Sequence, residues 1–112
     1  SEFVKEHVQD RIVTRELDVL RVIGKVKPVR VYEVLARAGD LDEGTARLLD
    51  LYNAGLAFYR AGRWQDALDA FSEAVKFRED DGPSNVYITR CTKFLVSPPK
   101  QDWDGVWSLT TK

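Results

Sequence analysis

The sequence is poor in several residue types, and each shortage removes a class of function. It has one cysteine, Cys91, which excludes an internal disulfide framework and a multi-cysteine zinc site. It has one histidine, His7, so the usual histidine metal clusters are out and Ser-His-Asp chemistry has a single candidate base. No stretch approaches the roughly 20 apolar residues of a membrane span, and the first residues lack a signal peptide's apolar run. Neither sign of charge dominates: 17 basic and 18 acidic residues leave a formal charge of −1, with no basic excess for nucleic acid and no acidic disordered tail. The expected setting is reducing, aqueous and cytoplasmic, with no direct membrane insertion. Methionine is missing altogether and the chain opens on Ser1-Glu2-Phe3, which gives the expectation of a segment from a larger parent, itself free to be membrane-attached.

What remains is enough for one domain. The 112 residues are 44% apolar, sufficient for a core. Residues 1–36 form the first expected domain. Glu2 to Gln9 suits a short helical turn. Ile12 to Leu17 and Val19 to Ile23 are rich in β-branched residues, and Gly24-Lys25-Val26-Lys27-Pro28 is a turn. In the strand that follows, Val29, Val31, Glu33 and Leu35 face one way and Arg30, Tyr32 and Val34 the other. Apolar groups on both faces call for partners on both sides, because a lone hairpin is marginal in water.

Residues 37–112 form the second expected domain. Residues 37–44 are a polar, glycine-bearing connection, with Asp40 or Asp42 suited to cap a helix. Leu48, Leu51, Tyr52, Gly55, Phe58 and Tyr59 then recur at spacings of three and four. Gly62 interrupts them, and Trp64, Ala67, Leu68, Phe71, Ala74 and Val75 resume the pattern. Two helices joined by Ala61-Gly62-Arg63 must fold back as an antiparallel pair. Asp80 to Ser84 closes the second. Ser84 suits the cap of a third helix over Asn85 to Val96, with Tyr87, Ile88, Cys91 and Leu95 facing inward, before Pro98-Pro99 stops it. Trp103 and Trp107 in the tail are costly to leave in water and are expected to dock. The fold class is therefore α+β: a β-hairpin, a helix pair, a third helix and a docked tail.

The ordered set Gly55, Phe58, Gly62, Trp64, Ala67, Phe71 and Ala74 resembles a tetratricopeptide repeat (TPR), with Leu51 where that family usually has tryptophan. In that family the small residues let helices approach, and residues at the places of Phe58 and Phe71 fill the space between them. Glu79 stands where proline usually ends the repeat, so a longer second helix is expected. One repeat fits residues 48–81. The third helix resembles the first half of another. About three repeats are normally needed to bury their faces, so the hairpin or the Trp103/Trp107 tail is expected to cap this one. The resemblance places Leu49, Tyr52, Leu56, Tyr59 and Arg60 on the side of the first helix that lines the family's protein-binding groove. Two readings stay open there: a groove for a protein partner, or an internal face covered by the chain itself.

Arg15 to Lys25 followed by Pro28 to Leu35 resembles the C-terminal edge of a class III adenylate/guanylate cyclase catalytic domain, which closes its sheet with such a hairpin. Bacterial members often continue into TPR-like helices, and their ends are similar to this one: Asp81-Gly82-Pro83-Ser84, Arg90-Cys91, Pro98-Pro99, and Asp102-Trp103-Asp104-Gly105-Val106-Trp107. The resemblance implies a non-catalytic regulatory or protein-interaction module in cyclic nucleotide signalling. The family's metal-binding aspartates, base-reading residues and Asn/Arg pair lie upstream of the hairpin and nothing here matches them. Mg2+ and a nucleoside triphosphate are accordingly expected for the parent alone, with no cofactor in this segment. Lys25 matches a turn lysine that contacts nucleotide phosphates in the family, while Ile23 stands in the place of a first lysine.

The other candidates weigh as follows. His7 has no nucleophile near it in sequence and reads as a surface residue. Cys91 reads as a buried thiol, with Arg90 and Lys93 the only features that would activate it. Glu79-Asp80-Asp81 lacks a calcium loop's spacing and reads as a helix end. The partner expected is a protein or the parent's own catalytic domain. The alternatives are a nucleotide site completed elsewhere with Lys25, and a structural cap or homodimer built through the hairpin edge.

Overall fold

The computed structural model describes residues 11–22 and 27–109. The expected helical turn before Gln9, His7, and the turn carrying Ile23, Gly24 and Lys25 lie outside the described residues. The chain divides into two compact units, one of residues 1–43 with 106–112 and one of residues 44–105.

The first unit is a three-stranded sheet in the order β2-β1-β3. Strand β1 (Ile12–Val22) and strand β2 (Val29–Arg37) are the antiparallel hairpin read from their β-branched content. Their register runs from Ile12 opposite Arg37 to Leu20 opposite Val29. It shifts twice, skipping Leu35 on β2 and Leu17 on β1, so each strand carries one bulge. A short 3-10 turn (Ala38–Asp40) follows, and its first N–H donates back to the Arg11 carbonyl at 2.8 Å. Strand β3 (Trp107–Leu109) pairs parallel to β1, with Leu20 opposite Trp107. This third strand adds to the expected hairpin. Three residues are too few to show a period, so the tail gave no strand signal.

Alternation makes the faces of the hairpin unequal. Val13, Arg15, Leu17, Val31, Glu33 and Leu35 point to the covered face. Arg15, only 2% exposed, donates from Nη2 to Glu33 Oε1 at 2.6 Å and from Nε at 3.2 Å. On the opposite face Ile12, Tyr32 and Val34 are exposed. The partner expected on that second face is not supplied by the described residues, which leave Ile12, Tyr32 and Val34 exposed.

The second unit holds three helices: α1 (Glu43–Arg60), α2 (Trp64–Ala74) and α3 (Gly82–Val96). Gly62 ends α1. Its φ of +78° is a left-handed conformation, Gly62 N–H donates to the Tyr59 carbonyl, and Arg63 N–H donates to that of Phe58 at 2.9 Å. This pair of bonds is a Schellman closure, which favours glycine. Arg63 also sits over the Phe58 ring at 5.0 Å. Helix α2 stops at Ala74, shorter than expected. Lys76 and Phe77 donate back three residues rather than four, to Glu73 and Ala74, so the chain tightens out of the α-helix without needing a proline.

The third helix starts earlier than Ser84. Asp81 is its cap: the buried carboxylate accepts from Ser84 N at 3.2 Å and from Ser84 Oγ at 2.6 Å. The missed signal is Pro83, which suits a first helical turn and so places the cap before it. The shift in start does not alter which of Tyr87 and Cys91 are buried, but Leu95 is 42% exposed and Phe94 takes its place inside. Ile88 is half-buried.

Ring contacts fix the helix directions. Tyr59 meets Trp64 and Tyr52 meets Phe71, so α1 and α2 run antiparallel. Tyr52 meets Tyr87 and Tyr59 meets Phe94, so α3 returns parallel to α1. Trp64 meets Phe94 and Phe71 stacks on Tyr87 at 5.1 Å, so α2 and α3 are antiparallel. Gly55 makes the close approach: a Cβ there would lie 2.8 Å from Phe71 Cζ. Ala67, Phe71 and Ala74 are fully buried.

Candidate functional site

The residues expected to line a groove have two fates. Leu49, Tyr52, Leu56 and Tyr59 are buried in the helical unit. Tyr59 contacts the rings of Trp64, Tyr87, Phe94 and Trp103, and Tyr52 those of Phe71 and Tyr87. Of the two readings left open, the internal face describes these four. Of Phe58 and Phe71, expected to fill the space between the helices, Phe71 is fully buried and Phe58 is half-buried, as is Leu51 in the place of the family's tryptophan. The buried stripe of α1 is instead Leu48, Leu49, Tyr52, Gly55, Leu56 and Tyr59. The stripe is turned because α1 packs against two helices at once.

Arg60 is different. It is half-buried at the end of α1 and lines a pocket of about 190 Å³ with Gly62, Trp64, Pro98, Pro99, Lys100 and Trp103. The pocket forms where the Gly62 turn meets the chain leaving α3. Trp103 N–H donates to the Lys100 carbonyl at 3.0 Å, and that bend carries the indole back onto the helices. Its ring lies 5.2 Å from Trp64, 5.4 Å from Tyr59 and 5.5 Å from Phe94. Trp103 therefore docks as expected of an aromatic tail residue. Trp107 lies in β3, in the other unit. The pocket has a guanidinium, an ammonium, two indoles and two prolines. Its volume suits one side chain rather than a whole cofactor, and Lys100 among its lining residues suits a carboxylate.

Among the described residues no group of three or more His, Cys, Asp and Glu side chains is placed to hold a metal ion. Burial pushes the Cys91 thiol from 9.0 up to about 11, the opposite of activation. Among the described residues no helix is long and apolar enough to cross a membrane.

These features define the class: a small α+β assembly of a sheet and a three-helix unit with an aromatic interior. Over 83 residues, 73% of its length, the chain is 30% identical to the protein "Adenylate cyclase, terminal-differentiation specific" of Dictyostelium discoideum. The chain spans about 4% of that relative's length. The similarity is to an adenylate cyclase, as the hairpin implied, but a Dictyostelium one rather than a bacterial one. No family model matches the chain, and no solved structure matches it.

Proposed function

We propose that this chain is a non-catalytic, TPR-like regulatory module of a class III nucleotide cyclase, with the hairpin of residues 1–36 as the closing edge of the catalytic domain and the helices of residues 44–105 as the helical module. The observation that carries this reading is the helical unit's construction. A bare Gly55 at the helix crossing, buried Ala67 and Ala74, and a third helix returning parallel to the first make a repeat-type scaffold. The likeness to an adenylate cyclase supplies the signalling context. Because Leu49, Tyr52, Leu56 and Tyr59 are core, the contact offered to a partner moves to the pocket of Arg60, Trp64, Lys100 and Trp103. A protein segment presenting a carboxylate beside an apolar or aromatic group fits it.

Regulation through this pocket requires that the partner bind two states of the cyclase unequally. The test is cyclic nucleotide production by the cyclase that carries this segment. It is compared with the same enzyme lacking the segment, and with Arg60→Glu and Lys100→Glu together. A changed rate on deletion, and loss of the partner's effect in the charge-reversed variant, are expected. Equal rates in all three, with and without partner, would defeat the reading.

A further inference from the structure

Ser97 is placed to take a phosphoryl group. It is the one hydroxyl residue of the sequence that precedes a proline, in Ser97-Pro98-Pro99-Lys100. It stands just after α3 and is exposed. Its N–H closes the helix by donating to the Lys93 carbonyl at 2.8 Å. Its own backbone, at φ −139° and ψ 83°, has already left the helical region. Pro98 disfavours the helical conformation in the residue before it, which holds Ser97 extended. The Ser97 hydroxyl makes no hydrogen bond among the described residues. Other hydroxyls of α3 are engaged: Thr89 and Thr92 donate to carbonyls one turn back, and the fully buried Ser84 donates to Asp81.

We propose that Ser97 is a phosphorylation site for a proline-directed protein kinase, and that the phosphate takes the Lys100 ammonium as its counter-ion. A kinase needs an exposed hydroxyl on extended chain. The proline after it offers no N–H, so the cleft facing that position is free to be apolar. In the transfer, Ser97 Oγ bonds to the γ-phosphorus of a nucleoside triphosphate and the bond from that phosphorus to the β-γ bridging oxygen breaks. The nucleoside diphosphate leaves with the electron pair, and the hydroxyl proton passes to the kinase's base. The added charge of about −2 then lies at the C-terminal end of a helix, whose last carbonyls repel it. Lys100 is three residues on, at most about 10 Å along the chain, and its ammonium makes no ion pair among the described residues. Repulsion from the helix end and attraction to Lys100 set the phosphate toward that lysine. Lys93, in the last turn of α3, is the competing cation. Lys100 also lines the pocket of Arg60, Trp64 and Trp103. On the reading given above, the phosphate therefore closes that pocket to an acidic partner; the modification itself does not depend on that reading.

For the test, the folded 112-residue chain is incubated with Mg2+, ATP and a cyclin-dependent kinase, then followed by intact mass and peptide mapping. One phosphate on Ser97 is expected, and none on Ser97→Ala, an exposed site whose change leaves the fold in place. The ion pair is read by phosphorus NMR on chains with the phosphate installed on Ser97 during synthesis, so that no variant depends on the kinase. The second ionisation of the phosphate, at about pH 6 in free phosphoserine, is expected about half a pH unit lower in the wild type than in Lys100→Gln. Lys93→Gln is expected to move it less. No incorporation, incorporation that Ser97→Ala leaves intact, an ionisation unmoved by Lys100→Gln, or one moved more by Lys93→Gln would each overturn the proposal. Cyclase activity enters at no step, so failure here is distinct from failure of the regulatory reading.

Discussion

Gly55 shows how one missing methyl sets a packing distance. A Cβ there would lie 2.8–3.0 Å from three atoms of the Phe71 ring. That ring has little room to yield, stacked on Tyr87 at 5.1 Å and edge-on to Tyr52 at 5.5 Å. Gly55→Ala gains about 1 kcal/mol in helix propensity but loses roughly 1–3 kcal/mol by overpacking. A net loss of about 1 kcal/mol, a fall of several degrees in thermal midpoint, is expected by calorimetry. Gly82→Ala should move the other way, since nothing lies within 4 Å of its Cβ position and its φ is ordinary. Cys91 carries a second residue-scale consequence. Its thiol, pushed by burial from 9.0 up to about 11, stays protonated in the folded state while the unfolded chain ionises first. The folded state then binds more protons between pH 9 and 11, so stability falls with rising pH there and is unaffected by this group below pH 9. The slope approaches roughly 1 kcal/mol per pH unit. Denaturant melts of the wild type against Cys91→Ala across that window measure it; parallel curves would show that the thiol is not the cause.

At the scale of elements, the signals that read correctly were periodic ones. The three-and-four spacing marked α1 and α2, and glycine marked the turn between them. What it could not fix was which side of a stripe turns inward when a helix has two neighbours. Leu49 and Leu56 shift into the core because α1 meets both α2 and α3, while Leu51 and Phe58 move to its margin. Caps follow the same logic. Ser84 and Asp81 are both acceptable cap residues by type, and the choice depends on Pro83, which needs no intrahelical N–H partner in the first turn. Asp81→Ala removes the acceptor for Ser84 N–H and leaves the buried Ser84 hydroxyl without its 2.6 Å partner. A loss of about 1–2 kcal/mol is expected, with Asp81→Asn recovering much of it. Hydrogen exchange should show amides 84–88 losing protection ahead of those in α1. Equal loss across all helices would mean that the cap does not govern α3.

At the scale of the whole molecule, the two units are built from the chain in different ways. The helical unit is one continuous run, residues 44–105, whereas the sheet unit needs residues from both ends. The tail looked like a single docking element in sequence because its two tryptophans are equally apolar. It is divided by a turn at Gly105, where φ is +84°. Before that turn, Trp103 closes the aromatic core against Tyr59, Trp64 and Phe94; after it, Trp107 enters a strand. The three helices share one aromatic interior, and the Trp103 ring covers part of it by packing on Tyr59, Trp64 and Phe94. The segment 44–105 is therefore expected to fold by itself, with a helical far-UV spectrum and a cooperative melt, and Trp103→Ala in that segment should cost about 3–5 kcal/mol. Truncation after Gly105 should leave the helical melt in place but strip exchange protection from residues 20–22 of β1, which lose their β3 partner. A helical segment that unfolds when separated from the sheet would show that Trp103 is insufficient as a cap.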